Sequence, residues 1–181
     1  EQDDYGNGLA LDKNDDVIIV GSFSKVVVFD FDDGIEDVNS KGSEDIFIEK
    51  ISKEGEFVWV KTMGGRFSDL GMSIAIDNEN NIYTTGSFSL TVDFNPNAKK
   101  FEITSLGNTD VFIQKLDQNG GFVWAKAIRG LGFNYGSCVK VDEHENIYIT
   151  GGFEGKADFD PTIDKTNYHL SKGGTDLFVE K

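Results

Sequence analysis

Glycine and aspartate recur in this chain at a fixed interval, and the interval restricts the fold more than any other feature. Gly6, Gly71 and Gly136 stand 65 residues apart, as do Asp12, Asp77 and Asp142, and Gly21, Gly86 and Gly151. Trp59 and Trp124 keep the same spacing. Later landmarks hold it within one residue: Gly42, Gly107 and Gly173; Asp45, Asp110 and Asp176; Phe47, Phe112 and Phe178; Lys50, Lys115 and Lys181. The stretch NIYTTGSF at 81–88 returns as NIYITGGF at 146–153. A period of this length marks supersecondary units that cannot bury their apolar faces alone and must stack on their neighbours.

The copies span 1–66, 67–131 and 132–181, and each reads as short strands. In the first strand, SIAID at 73–77, Ile74 and Ile76 alternate with Ser73 and Ala75, matched by Leu9 and Leu11 against Gly8 and Ala10. In the third copy Cys138 and Lys140 take the small-residue face. Polar turns follow at 12–16 (DKNDD), 77–81 (DNENN) and 142–146 (DEHEN), where Asn and Asp tolerate left-handed backbone angles and bond their own backbone. A third strand, DVFIQKLD at 110–117, and a fourth, FVWAKAI at 122–128, are joined by QNGG; DIFIEKIS, KEGE and FVWVKTM repeat that order in the first copy. The connection from Phe88 to Asp110 is long for a hairpin loop and is expected to hold an extra short strand at KFEITS, 100–105.

Radial stacking of such sheets makes a propeller. The expected fold class is all-β: a β-propeller repeat segment of three tandem four-stranded antiparallel blades, the last lacking its fourth strand. Fifteen Phe, 21 Gly and two Pro suit aromatic strands joined by glycine turns. A formal charge of −15 repels nucleic-acid phosphates and anionic lipid surfaces, so nucleic acid is not an expected partner. A single cysteine, Cys138, rules out an internal disulfide framework. No apolar run approaches the roughly 20 residues that span a bilayer as a helix, so no membrane insertion is expected. The opening EQDDYGNG lacks the charged start and apolar stretch of a signal peptide, consistent with a processed product or a fragment.

The order in the second copy, with SIAID, NIYTTGSF, VDFNP, GNTDVFIQKLD and NGGFVWAK at set spacing, resembles the SBBP-type beta-propeller repeat of bacterial surface and secreted proteins. The resemblance covers nearly the whole chain. It implies that the first strand lies nearest a central channel and the Trp-bearing fourth at the rim. It also implies an extracellular or bacterial cell-surface location and a non-catalytic scaffold for binding or adhesion, with a protein or glycan partner. No characteristic catalytic residues come with it. Because a closed propeller typically takes four to eight blades, three blades are expected to be a fragment, an open arc, or a half-ring completed by self-association.

Candidate site residues fall in two groups. FDFDDG at 29–34, VDFNPN at 92–97 and ADFDPT at 157–162 place oxygen-bearing side chains two residues apart: Asp30 and Asp32, Asp93 and Asn95, Asp158 and Asp160. Calcium takes such ligands, although it needs six to eight oxygens and the EF-hand spacing is not followed. The competing reading makes them turn residues flanking anchoring aromatics at Phe31, Phe94 and Phe159. Asp4, Asp69 and Asn134 precede the repeated glycine of each first strand and are the candidates for a ring at the channel mouth, the alternative again being turn residues. His144 and His169 recur in no other copy and read as surface or turn residues. Trp59 and Trp124 offer a carbohydrate-stacking surface or, preferred here, packing between blades. The functional alternatives are a carbohydrate-active enzyme using loop carboxylates and a calcium-stabilised spacer.

Overall fold

The computed structural model describes residues 3–29, 37–162 and 165–181, and among them every regular element is a β-strand. Blade 1 is one sheet in the order β1 (Tyr5–Leu11), β2 (Val17–Val27), β3 (Val38–Ile51) and β4 (Phe57–Met63). Blade 2 repeats it with β5 (Leu70–Ile76), β6 (Ile82–Phe88), β9 (Asp110–Leu116) and β10 (Phe122–Gly130). Blade 3 consists of β11 (Tyr135–Val141), β12 (Ile147–Asp158) and β13 (Tyr168–Glu180). All these pairings are antiparallel, which makes the chain an all-β molecule with propeller-like blades.

The extra strand expected at 100–105 is present as β8 (Glu102–Thr104), paired with β7 (Thr91–Asp93) in a small separate hairpin. In blades 1 and 3 the corresponding hairpin is continuous with the long strands, where Val26 pairs with Asn39 and Lys156 with Leu170. Each hairpin folds one aromatic ring back onto its blade. Phe94 stacks on Phe88 and Phe112 with centroids 5.2 and 5.1 Å away, and Phe159 on Phe153 and Phe178 at 5.1 and 5.2 Å. In blade 1 the ring is Phe29, against Phe47 at 5.0 Å and Phe23 at 5.9 Å. Phe29 lies 65 residues before Phe94, so it takes the anchoring place expected of Phe31, which is outside the described residues.

The apolar core sits between blades. One cluster joins Ile18, Val20, Ile46, Ile48 and Met63 of blade 1 to Ile74, Phe88, Phe94, Phe112 and Leu116 of blade 2. A second joins Tyr83, Val111, Ile113 and Ile128 of blade 2 to Val139, Ile149, Phe153, Phe159 and Phe178 of blade 3. Each sheet therefore buries one face against each neighbour. Trp59 and Trp124 are half-buried against these two clusters, as packing between blades requires.

Each first strand carries a bulge, at Asn7, Met72 and Ser137 in turn. The bulge drives a carbonyl oxygen, of Tyr5, Leu70 or Tyr135, into the space where a Cβ on Gly21, Gly86 or Gly151 would stand. Only glycine fits there, which accounts for that repeated residue.

Candidate functional site

The β1–β2, β5–β6 and β11–β12 turns are built alike. Asp12 Oδ1 accepts the amides of Asn14 and Asp16 at 2.7 and 3.1 Å; Asp77 and Asp142 do the same four and two residues on. Asp15, Asn80 and Glu145 sit in the left-handed region at φ 65, 63 and 62°. His144 lies exposed in the third of these turns. The outer carboxylate oxygens reach inward: Lys50 Nζ bonds Asp12 at 2.7 Å and Asp16 at 2.9 Å, and Tyr83 Oη donates to Asp77 at 2.9 Å with Lys115 at 3.6 Å.

The acidic hairpins use their side chains on their own backbone. Asp93 Oδ1 accepts the amides of Asn95 (3.1 Å) and Phe101 (2.9 Å), and Asn95 Oδ1 that of Asn97 (2.9 Å). Asp158 Oδ1 accepts from Asp160 (3.1 Å) and Asn167 (2.7 Å), and Asp160 Oδ1 from the Thr162 amide (2.8 Å) and hydroxyl (2.6 Å). These are Asx-type turns. At the 65-residue spacing Val28, not an aspartate, corresponds to Asp93, and Asp30 corresponds to Asn95; Asp30 and Asp32 lie outside the described residues. Among the described residues no three His, Cys, Asp or Glu side chains converge as a metal cluster.

Asp4, Asp69 and Asn134 form a second repeated device at the end of the blades opposite these turns. Each reaches across to an amide 20 residues later: Asp4 to Ser24 at 2.9 Å, Asp69 to Ser89 at 2.9 Å, Asn134 to Glu154 at 3.2 Å. Asp69 and Asn134 are fully buried, so they clasp the end of the second strand from below the surface. Asp69 also accepts the Gly65 amide at 2.7 Å, whereas Asn134 Nδ2 donates to the Thr109 carbonyl at 3.1 Å and to Asp110 Oδ1 at 3.0 Å. Burial pushes the Asp69 carboxyl up to about 7, against the pull of its two amide donors.

At this same end the loops before β9 and β11 pack backbone to backbone: the Asn108 amide donates to the Gly132 carbonyl, and Thr109 bridges Phe133. They carry Leu106, Leu131 and Phe133 largely exposed. At the preceding junction the corresponding positions are Lys41 of β3 and Arg66 and Ser68 of the β4–β5 connection, and the backbones approach equally closely there. The spacing does not point to this strip, because the three copies differ there and only folding places the two loops side by side.

No family model matches the chain. It is 27% identical over 201 residues to an uncharacterized WD repeat-containing protein of Acanthamoeba polyphaga mimivirus, an alignment covering 96% of this chain. The chain spans 14% of that relative's length. The blades stacked through shared cores and a WD-repeat relative agree on one architecture, that of a β-propeller repeat protein.

Proposed function

We propose that this chain is a non-catalytic propeller scaffold whose exposed loop strip, Leu106, Leu131 and Phe133, binds a protein partner. The observation that carries the reading is the contrast within one blade end. The repeated carboxylates Asp69, Asp93, Asp110 and Asp158 are spent on backbone amides, while three large apolar side chains stand in solvent on adjacent loops. Exposed apolar groups gathered on a rigid scaffold mark interaction surfaces, and a WD repeat-containing relative fits that use. The resemblance to SBBP-type repeats extends the proposal to adhesion at an extracellular or bacterial cell surface. A glycan partner and a glycoside-cleaving activity are the competing outcomes.

The test is selection of displayed peptides on the immobilised chain, repeated with a Leu131→Asp, Phe133→Asp variant. The scaffold reading expects binding to fall at least tenfold with the melting temperature unchanged. Equal binding by the variant would remove the strip from the proposal. Reducing-end release from glycans by the wild-type chain would replace the scaffold with an enzyme.

A further inference from the structure

The junctions between blades 1 and 2 and between blades 2 and 3 share one clasp but differ in its supply of hydrogen. At the second junction Asp110 Oδ1 receives the Gly130 amide at 2.7 Å and the Asn134 side-chain amide at 3.0 Å, and its Oδ2 receives the Leu106 amide at 2.8 Å; burial raises this carboxyl too, but those three donors and the Arg129 charge all oppose the rise. At the first junction, 65 residues earlier, Asp69 stands for Asn134 and Gly64 for Arg129. The Asp45 carboxyl lies where a Gly64 side chain would begin. The Gly65 amide, the counterpart of Gly130, goes to Asp69 rather than to Asp45. Asp45 keeps the Lys41 amide at 3.0 Å on Oδ2, and its Oδ1 is buried without any partner.

Two buried carboxyls thus face a junction from which one amide donor and one guanidinium have been deleted. The charged groups on the elements around them are Lys25 of β2, Lys41 and Glu44 of β3 with Glu49 and Lys50 farther along that strand, Lys61 of β4, Arg66 of the β4–β5 connection, and Asp93 of β7 bridged to Gly64; β5 and β6 carry none. Lys41 favours ionisation of both carboxyls, and Asp45 opposes ionisation of Asp69. We infer that Asp45 and Asp69 form a proton-binding latch. One proton held on Asp69 and donated toward Asp45 Oδ1 replaces the amide hydrogen that Asn134 supplies to Asp110, and its loss loosens blade 1 from blade 2.

Burial drives the Asp69 carboxyl up to about 7, with Asp45 adding to the rise, and burial raises Asp45 too. Because the folded pKa of Asp69 exceeds its unfolded value, the proton's stabilisation is complete below the ordinary carboxylate range and is lost as pH climbs through about 7. The experiment is a pH titration of the full chain, following carboxyl carbons by NMR and the melting temperature from pH 5 to 8. The latch expects Asp69 to titrate near neutrality and the melting temperature to fall by roughly 5–10 °C over that range. Asp69→Asn, which copies Asn134, is expected to remove most of that fall and to raise the melting temperature at pH 8. Titration of Asp69 near the ordinary value of about 4 would overturn the latch, and so would an undiminished fall in Asp69→Asn. The carboxyl titration needs no variant, so the test stands even if Asp69→Asn does not fold.

Discussion

Lys50 shows how a single residue decides whether buried charge stabilises this fold. β2 and β3 pair with Ile18 opposite Lys50, and this register delivers the ammonium to Asp12 and Asp16. Burial works to raise the Asp12 carboxyl, but Lys50 and the amides of Asn14 and Asp16 outweigh it and hold the group below the usual carboxylate range. Replacing Lys50 by Met removes the cation and leaves the Asp12 side chain, 3% exposed, in place. The expected cost is about 3–5 kcal/mol, the usual penalty for breaking one side of a buried pair, read as a lower urea midpoint. In blade 2 the Tyr83 hydroxyl shares the load on Asp77, so Lys115→Met is expected to cost less, about 1–2 kcal/mol. Asp12, Lys50 and their counterparts were visible in the sequence as landmarks. Their pairing was not, because a separation of 38 residues becomes contact only through strand register. Asp69 was legible as a repeated position for the same reason, while its burial and its opposition to Asp45 were not.

At the scale of the element, the hairpin after each second strand begins at a residue in the left-handed region: Lys25 at φ 57°, Leu90 at 54° and Gly155 at 71°. Only the third copy has the residue that adopts this conformation without strain. A Cβ on Gly155 would meet nothing within 4 Å, so Gly155→Ala isolates the backbone cost and is expected to lose about 1–2 kcal/mol. Lys25→Gly, exposed and equally strained, should gain about 0.5–1 kcal/mol; calorimetry on the two variants checks both signs. The sequence announced the strand at 100–105 through its alternation, but a lone glycine among Lys and Leu gave no hint of a shared turn. It also misaligned the first hairpin by two residues, because FDFDDG offers two phenylalanines and only ring packing on Phe23 and Phe47 selects Phe29. Calcium at Asp93, Asn95, Asp158 and Asp160, and at Asp30 and Asp32, remains a proposal with a separate check: if a chelator leaves the melting temperature unchanged, those side chains serve as turn residues alone.

For the whole molecule, the repeat predicts which faces want a neighbour. Each interior position of the first three strands has counterparts in every blade, and their exposure differs by place in the arc. Leu9 is 67% exposed where Ile74 and Val139 are 5% and 0%; Leu177 is 80% exposed where Ile46 and Val111 are both 0%. The first comparison marks the face of blade 1 turned away from blade 2, and the second the face of blade 3 turned away from blade 2. Both faces repeat surfaces that are already partnered elsewhere in the chain, so each is shaped for one more blade of the same kind. Two such arcs joined head to tail would give six blades, within the four to eight of closed propellers. The discriminating pair of variants is Val111→Lys and Leu177→Lys. Val111→Lys puts an unpaired charge between blades 2 and 3 and is expected to cost more than about 4 kcal/mol. Leu177→Lys, on a free face, is expected to fall within about 0.5 kcal/mol of wild type. Should Leu177→Lys instead destabilise the chain strongly, that face is covered in solution. Light scattering then tells by what: a doubled mass in the wild type that halves in the variant identifies a second copy, and the two end faces close on each other.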